Sequence, residues 1–297
     1  MSIIKESKGD KAFNAFNLII LSFITIIVLY PLIYILSASI SNPDLVYNGE
    51  VWLFPRGVTF EGYQRVLQDP EILTGYGNTI FYTIVGTIIN LAITLAAAYS
   101  LSKKFLPGGR IAMLFMVFTM YFSGGMIPTY LVMKNLNLLD TRLVIIVSGA
   151  ISTYNLIIAR TFFVNGVPKE IEEASVIDGC SVFRTFFSIV LPLSKAVIGV
   201  LALYYGVGHW NSYFNALIYL SDSDKFPLQL VLRGILISNQ QKAAMALDNE
   251  EMMQVQQRVA NLIKYAVIVV SSLPVLVAYP FLQKYFAKGV MIGSLKG

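Results

Sequence analysis

The sequence predicts an all-α membrane protein with six transmembrane helices, and two observations support this prediction. First, the 297 residues are 56% hydrophobic and only 13% charged, whereas soluble domains carry about 25% charged residues. Second, six intervals rich in apolar residues contain no Asp, Glu, Lys or Arg, and a helix needs about 20 such residues to cross a bilayer. The intervals are 12–43, 72–102, 111–133, 143–159, 196–221 and 265–283.

The distribution of Lys and Arg predicts the orientation of these spans. With six spans, both termini lie on one side, and the segments on that side hold 13 of the 22 Lys and Arg residues. Because cytoplasmic loops are enriched in Lys and Arg, we expect both termini to be cytoplasmic. The net charge of +5 then reflects membrane topology, and no basic run with interleaved aromatics predicts nucleic-acid binding.

The first apolar interval is preceded by three lysines, as in a signal peptide. It is too long for one, and no small-residue cleavage site follows it, so we expect a retained first helix.

Several kinds of chemistry are excluded by what the sequence lacks. It has one cysteine, Cys180, and one histidine, His209, so neither an internal disulfide nor a Cys/His metal cluster can form within the chain. It contains no Gly-x-x-x-x-Gly-Lys-Ser/Thr motif, which is the loop that holds nucleotide phosphates. We therefore expect no enzymatic activity, metal or cofactor in this chain, and a partner must supply any energy from ATP.

The segment 164–192 is the longest predicted connection on the cytoplasmic side. Pro168 suits the first position of a helix, and the following glutamates complement the positive end of the helix dipole. Gly179 then breaks this helix, Ser181 can cap a second short helix through Phe187, and Pro192 marks the entry to span five. The sequence predicts two short helices lying against the inner membrane surface.

The same segment carries a recognisable spacing: Glu173-Ala174-Ser175, three residues, Gly179, nine residues, Ile189, one residue, and Leu191-Pro192. It resembles the cytoplasmic "EAA" loop of the permease subunits of ABC importers, with Ser175 in place of the second alanine. The resemblance implies a type I importer fold whose coupling helices, at about 168–188, sit in a cleft of the ATPase subunit. An amphipathic connector is the alternative, but the complete spacing favours the coupling role.

The resemblance extends over nearly the whole chain and points to permeases for oligosaccharides and polysaccharide fragments. It implies two cytoplasmic ATPase subunits that bind ATP and Mg²⁺, a second homologous permease and an extracytoplasmic sugar-binding protein. In maltose-type relatives the tail of one permease inserts between the ATPase subunits, which implies this role for Gly293, Lys296 and Gly297. The stretches that carry the resemblance are Asn78-Thr79, 124–130, Trp210-Asn211, 279–281 and 288–297.

The predicted organisation has three parts. Residues 1–71 form the N-terminal segment, the first span and the first extracytoplasmic loop. Residues 72–285 form a five-helix permease core, and residues 286–297 form a cytoplasmic tail.

Span five has an unusual polar content, which predicts a substrate path. Polar groups in a span usually face the bundle or a wet cavity, and sugars stack on aromatics and bond to amides. An interface with the second permease is an equal alternative. For His209, packing or a hydrogen bond to substrate is favoured over a proton relay, because the spans hold no carboxylate. The path residues, predicted to share one helix face apart from His209, are Tyr204, Gly208, His209, Asn211, Asn215 and Tyr219.

Two other classes of function remain as alternatives. A self-sufficient secondary transporter or channel predicts inverted repeats and an intramembrane ion site, and the charge-free spans argue against it. A membrane enzyme requires paired carboxylates, a metal set or a Ser-His-Asp arrangement, none of which is available in the spans.

Overall fold

The structure is a computed structural model that describes residues 7–245, 258, 260 and 262–280. The described residues form helices and connecting segments, with no β-strand among them. The helices are α1 (Lys8–Ser39), α2 (Pro43–Tyr47), α3 (Glu61–Gln68), α4 (Pro70–Ser102), α5 (Gly109–Tyr121), α6 (Met126–Asn135), α7 (Arg142–Val147), α8 (Thr153–Asn165), α9 (Lys169–Ile177), α10 (Val182–Thr185), α11 (Leu191–Leu193), α12 (Lys195–Trp210), α13 (Phe214–Tyr219), α14 (Leu228–Met245) and α15 (Leu262–Pro280). A π-helical segment, Phe186–Val190, joins α10 to α11.

The chain divides into two compact units, one within residues 1–69 and 234–272, the other within 70–233 and 273–297. In the first unit, the C-terminal end of α1 is bonded to the segment that follows it. Ser37 Oγ donates to the carbonyl of Leu53 at 2.6 Å, and the hydroxyls of Ser39 and Tyr63 lie 2.7 Å apart. The second unit carries the predicted coupling loop and the predicted substrate path.

Among the described residues, three helices are long and apolar enough to cross a membrane: α1, α4 and α15. Two bent helix pairs are also long and apolar enough: α5 meets α6 at 119° within the third predicted span, and the helix Val182–Leu193 meets α12 at 82° just before the fifth predicted span. The fourth predicted interval, 143–159, falls on two short helices, α7 and α8, separated by 148–152. The six apolar intervals therefore do not correspond to six continuous helices. That the chain crosses the membrane six times stays a prediction.

The break between α5 and α6 has a local cause. Gly125 has a φ of +89°, a backbone region that side chains disfavour and that helices do not use. The hydroxyl of Ser123 accepts a hydrogen bond from Gly125 N at 3.1 Å, so the freed backbone donor is satisfied within the turn. The sequence Ser123-Gly124-Gly125 thus ends one helix and begins the next inside an apolar interval.

The predicted single helix of span five is wrong. Helix α12 ends at Trp210 and α13 begins at Phe214. Asn211, at the C-terminal end of α12, donates from its side chain to the carbonyl of Val207 at 3.0 Å. Asn and Ser side chains compete for backbone groups in this way and favour helix ends. The polar residues that we expected on one helix face therefore lie on two helices and a turn.

Helix α4 forms the centre of the second unit and packs against both α8 and α12. A buried stripe recurs along it at every fourth position, and four residues advance about 40° beyond one full turn. The stripe winds slowly around the helix and so meets different neighbours along its length. Its members are Asn78, Tyr82, Gly86, Asn90, Thr94 and Ala98, all buried.

At its first turns, α4 is bonded to the segment 224–228, an arrangement that we call the Asn78 clamp. In addition to the bonds to this segment, the Oδ1 atom of Asn78 accepts a hydrogen bond from the side chain of Arg142 at 3.2 Å. The bonds to the segment run from Asn78 Nδ2 to the carbonyls of Asp224 (2.7 Å) and Phe226 (3.0 Å), from Tyr82 OH to the carbonyl of Lys225 (2.8 Å), and from Leu228 N to Thr79 Oγ1 (2.8 Å).

We predict that Asn78→Ala loosens this clamp. The change removes the donor that two carbonyls share, and leaving a buried partner unsatisfied costs about 1–3 kcal/mol. We expect a lower thermal unfolding temperature in detergent and faster protease cleavage within 221–228. Ile80→Ala is the control, because Ile80 lies on the same helix and is exposed. Equal unfolding temperatures and cleavage rates for the two variants would contradict the prediction.

Candidate functional site

The predicted coupling loop forms the expected helix–turn–helix, with one difference at its end. Helix α9 follows Pro168, Gly179 has a φ of +74°, and Ser181 Oγ caps α10 by accepting from Arg184 N at 3.3 Å. The second helical stretch does not end at Phe187 as expected. It continues to Leu193, and the 82° bend into α12 falls at Ser194.

The extension past Phe187 is explained by a π-helical turn before Pro192. A proline ring clashes with the carbonyl four residues earlier in an α-helix, and a π-turn is one way to accommodate an irregularity. Here Leu191 N donates to the carbonyl of Phe186, five residues back. Ile189 and Leu191 are half-buried in this stretch, so the Ile-x-Leu-Pro part of the motif precedes the bend and does not enter α12.

Ser175, the departure from the family pattern, is buried and bonded across the turn. Its hydroxyl donates to the carbonyl of Glu172 at 2.7 Å and lies 3.0 Å from the hydroxyl of Thr185. A buried hydroxyl needs such partners. The serine therefore joins α9 to α10, which an alanine could not do by hydrogen bonding.

The remaining side chains of the loop leave an apolar surface exposed. Glu173 and Ala174 are exposed, and Ile177 and Phe183 are 86% and 77% exposed. An exposed apolar patch with a charged rim is typical of a protein–protein contact. We call this surface, formed by Glu173, Ala174, Val176, Ile177, Val182 and Phe183, the loop surface.

A cavity of about 290 Å³ lies in the second unit, between α4, α8, α12 and the breaks after α7 and α12. The described chain lines it with amides, hydroxyls, an imidazole and phenols, without Lys, Arg, Asp or Glu. The lining residues are Asn90, Ile145, Gly149, Ser152, Asn155, Tyr204, Tyr205, Gly208, His209, Ser212 and Asn215.

Four of the six predicted path residues line this cavity: Tyr204, Gly208, His209 and Asn215. The other two do not. Asn211 is exposed and bonded to its own helix. Tyr219 is 6% exposed and stacks on Tyr130, with ring centroids 6.2 Å apart. Tyr219 lies beyond the break after Trp210, where the helical phase has changed, whereas Asn211 ends α12 and its amide bonds to the carbonyl of Val207.

Two buried polar atoms at the cavity have no hydrogen-bond partner among the described residues: Asn90 Oδ1 and His209 Nε2. The other amide atom of Asn90, Nδ2, donates to the carbonyl of Gly149 at 2.9 Å. Unsatisfied polar atoms are costly in an apolar environment. Both atoms are buried, so a hydroxyl in the cavity bonds to them only when these side chains reorient.

Tyr205 holds the cavity wall together. Its hydroxyl lies 2.7 Å from Thr94 Oγ1 on α4 and accepts a hydrogen bond from Ser152 N at 3.1 Å. Through this one side chain, α12 is joined both to α4 and to the first residues of α8. The broken backbone at Ser152 is satisfied in this way, as a helix end within a membrane requires.

Sequence reasoning missed Asn90, Ser152, Asn155, Tyr205 and Ser212 as cavity residues. The fourfold spacing of the stripe on α4 was a signal that could have found Asn90. Ser152 and Asn155 lie in the fourth apolar interval, where polar residues of this kind ordinarily pack helices together. Tyr205 and Ser212 carried no signal of their own, because their positions depend on the break between α12 and α13.

A cluster of charges orders the segment 221–225 near the Asn78 clamp. The backbone N–H groups of Asp222 and Ser221 donate to Asp140, and these bonds hold the pKa of its carboxyl below the ordinary value. The N–H of Asp224 lowers the pKa of Asp222 in the same way, and hydrogen bonding to Asp222 raises the pKa of Lys225. These groups stay charged at neutral pH. Among the described residues, no group of three His, Cys, Asp or Glu side chains could hold a metal.

The family of the chain is given by comparison with known proteins. The model of the "binding-protein-dependent transport system inner membrane component" family matches residues 72–292. The chain belongs to this family. As in its relatives, it is a permease subunit in a membrane and not an enzyme. The family implies a transport complex with a binding protein and ATPase partners.

Two relatives from Bacillus subtilis (strain 168) are similar over almost their whole length. Protein LplC is 43% identical, covering 98% of this chain and 97% of the relative. The polygalacturonan/rhamnogalacturonan transport system permease protein YtcP is 40% identical, covering 95% and 98%. Among solved structures, a bacterial ABC transporter involved in the import of the acidic polysaccharide alginate matches with a TM-score of 0.85. It is 35% identical, with 95% of this chain and 99% of that chain covered.

This likeness establishes the type I ABC permease fold for the chain. The tail residues predicted to contact the ATPase subunits, Gly293, Lys296 and Gly297, lie outside the described residues.

We predict that Gly86→Ala displaces His209. A Cβ at Gly86 would lie 2.4 Å from His209 Nε2, and overpacking of this kind costs about 1–3 kcal/mol. We expect a lower unfolding temperature in detergent, and a smaller loss when His209→Ala is already present, because the ring is then gone. Gly77→Ala is the control, since nothing lies within 4 Å of its Cβ. If Gly86→Ala lowers the unfolding temperature equally in the presence and absence of the His209 ring, this contact is contradicted.

Proposed function

We propose that this chain is a transmembrane permease of an ATP-driven importer for oligosaccharides released from polysaccharides. The observation that carries the proposal is the polar, uncharged cavity described above, in a member of a family whose relatives are named for polysaccharide transport. Amides and hydroxyls suit the many hydroxyls of a sugar, and aromatic rings suit its apolar faces.

In this proposal the sugar passes along α12 and α4. Asn90 Oδ1 and His209 Nε2 accept or exchange hydrogen bonds with sugar hydroxyls, since no described residue satisfies them. Tyr204, 43% exposed, offers a ring face beside Tyr154, with centroids 6.4 Å apart. Asn215 donates to Ser148 Oγ at 3.1 Å and keeps its amide oxygen for the sugar.

The loop surface docks in a cleft of the cytoplasmic ATPase subunit. Its exposed apolar side chains supply the contact area, and Glu173 at its rim supplies a charge. The turn is shaped by Gly179, and the helical stretch behind it is shaped by Ile189, Leu191 and Pro192. ATP and Mg²⁺ bind in the two ATPase subunits, and the tail containing Gly293, Lys296 and Gly297 reaches between them.

Closure of the ATPase pair moves the loop surface, and the cavity changes the side to which it opens. The bend at Ser194 interrupts the helix between the loop and the cavity, and the break at 211–213 lies at the cavity itself. Breaks of this kind are where a rigid-body rotation is absorbed. A second homologous permease completes the pathway, both termini lie in the cytoplasm, and a sugar-binding protein delivers substrate outside.

The test is ATP hydrolysis by the chain reconstituted with its companion permease, ATPase subunits and binding protein. The proposal predicts stimulation by at least one member of a panel of neutral and uronate-containing oligosaccharides, together with ATP-dependent uptake. Uptake by this chain alone, indifferent to ATP, would instead establish a self-sufficient transporter. No stimulation by any member of a panel of polysaccharide fragments would contradict the proposed substrate class.

We predict that Gly179→Val uncouples the transporter. A β-branched residue at a φ of +74° strains the turn and tilts the loop surface. We expect sugar-stimulated ATPase activity to fall about tenfold, within the usual range of coupling free energies. Gly108→Val is the matched control, since Gly108 has a φ of +75° in another turn. Equal losses for the two variants would mean that strain alone, not the coupling loop, is responsible.

Glu173→Ala tests the charged rim of the loop surface. The residue is exposed and its replacement leaves the fold unchanged, so we expect normal amounts of protein in the membrane. Sugar uptake should fall about tenfold as the coupling is weakened. Glu170→Ala, an exposed glutamate on the same helix, is the control. Normal uptake by Glu173→Ala would exclude the rim from coupling.

A further inference from the structure

The cytoplasmic end of α4 is held against the coupling loop by one ion pair. Lys103, directly after the last residue of α4, binds both carboxylate oxygens of Glu172 on α9. The side chains are only 16% and 24% exposed. The ammonium also lies 4.0 Å from the ring centroid of Tyr99, where a cation is attracted to the aromatic face.

This contact joins two elements that the chain itself does not connect closely. Helix α9 continues through short turns into α8 on one side and α10 on the other, whereas Lys103 lies 69 positions before Glu172. Movement of the loop surface reaches α8 and α12 along the backbone. To reach α4 it must pass through non-covalent contacts.

Helix α4 is the element in which such movement would matter. Its stripe carries Asn90 at the cavity and Gly86 against the ring of His209, and it begins at the Asn78 clamp. Arg160 Nε on α8 also donates to the carbonyl of Leu101 at 2.9 Å. The end of α4 is therefore fixed both to α8 and to the loop that docks on the ATPase.

We propose that Lys103 and Glu172 are positioning residues that carry ATPase-driven movement of the coupling loop into α4. The proposal rests on the proposed function. The ion pair holds α9 and the cytoplasmic end of α4 together. When the loop surface moves, α4 and the cavity wall therefore move with it. Glu172 is half-buried and paired with Lys103, whereas Glu173 is exposed on the loop surface, so the two glutamates have distinct roles.

A structural role of the pair is the competing explanation. Tyr99 also packs on Phe186, with ring centroids 4.9 Å apart, and on Phe163 at 5.7 Å. These aromatic contacts hold α4 near the loop without the ion pair. A role confined to stability would lower the unfolding temperature and the amount of protein, and leave the ratio of stimulated to basal ATP hydrolysis unchanged.

Charge reversal in the reconstituted transporter separates these explanations. Lys103→Glu and Glu172→Lys each place like charges together in a half-buried site, which is unfavourable. We expect each to lower the ratio of sugar-stimulated to basal ATPase activity about fivefold or more. The double reversal restores an opposite pair and should recover most of the ratio. Lys104→Glu, a neighbouring exposed lysine, should leave it unchanged.

The proposal is overturned if the single variants have the same ratio of stimulated to basal ATPase activity as Lys104→Glu. It is also overturned if the double reversal has a ratio no higher than that of the single variants. The unchanged protein provides the separate check on the proposed function. If it shows no sugar-stimulated hydrolysis, the importer proposal fails. If it is stimulated and the reversals have no effect, only the role of the ion pair fails.

A reversible covalent link covers the case in which the reversals do not fold. Lys103→Cys and Glu172→Cys are combined in a Cys180→Ser background and joined by a short bifunctional thiosulfonate. The linked transporter should regain the stimulated ratio that the unlinked one has lost, and dithiothreitol should remove it again. A linked transporter that remains uncoupled would contradict a mechanical role for this contact.

Discussion

The structure of the second unit depends on the buried polar side chains of α4, which need hydrogen-bond partners within an otherwise apolar chain. In the hydrocarbon core no water is available, so each polar group requires a partner in the protein. Asn78, the amide nitrogen of Asn90 and Thr94 find theirs in a loop segment, in a helix break and in Tyr205. These bonds place α8, α12 and the segment 224–228 around one helix.

The same requirement explains where the broken helices are tolerated. The backbone at 148–152 and 211–213 leaves the helical state, and Gly149, Ser152 and Ser212 from these breaks line the polar cavity. Irregular backbone at membrane depth is stable only where protein or a cavity satisfies it. The breaks thus help to form the cavity, and in the proposed mechanism they provide the flexibility for alternating access.

Local signals made the coupling loop predictable, whereas the cavity depends on tertiary placement. Pro168, Gly179 and Ser181 act within a few residues, so the turn and the caps follow from sequence, although Pro192 proved to sit behind a π-turn and not at the start of α12. Charge-free intervals located the apolar segments but not the break at Gly125 or after Trp210. Tyr219 was misplaced for that reason, and Asn211 was misplaced because its amide bonds to the carbonyl of Val207 in its own helix. The family resemblance, carried by the loop motif, is confirmed by the family match and by the alginate importer.

In the proposed mechanism, this cavity opens alternately to the two sides of the membrane. The most direct measurement is the reactivity of Ser212→Cys, a cavity position, in a Cys180→Ser background of the assembled transporter. A membrane-impermeant thiol reagent is added from either side, with and without trapped ATP. We predict labelling from the cytoplasmic side without nucleotide and from the outer side with ATP. Labelling that is the same in both states would contradict the account.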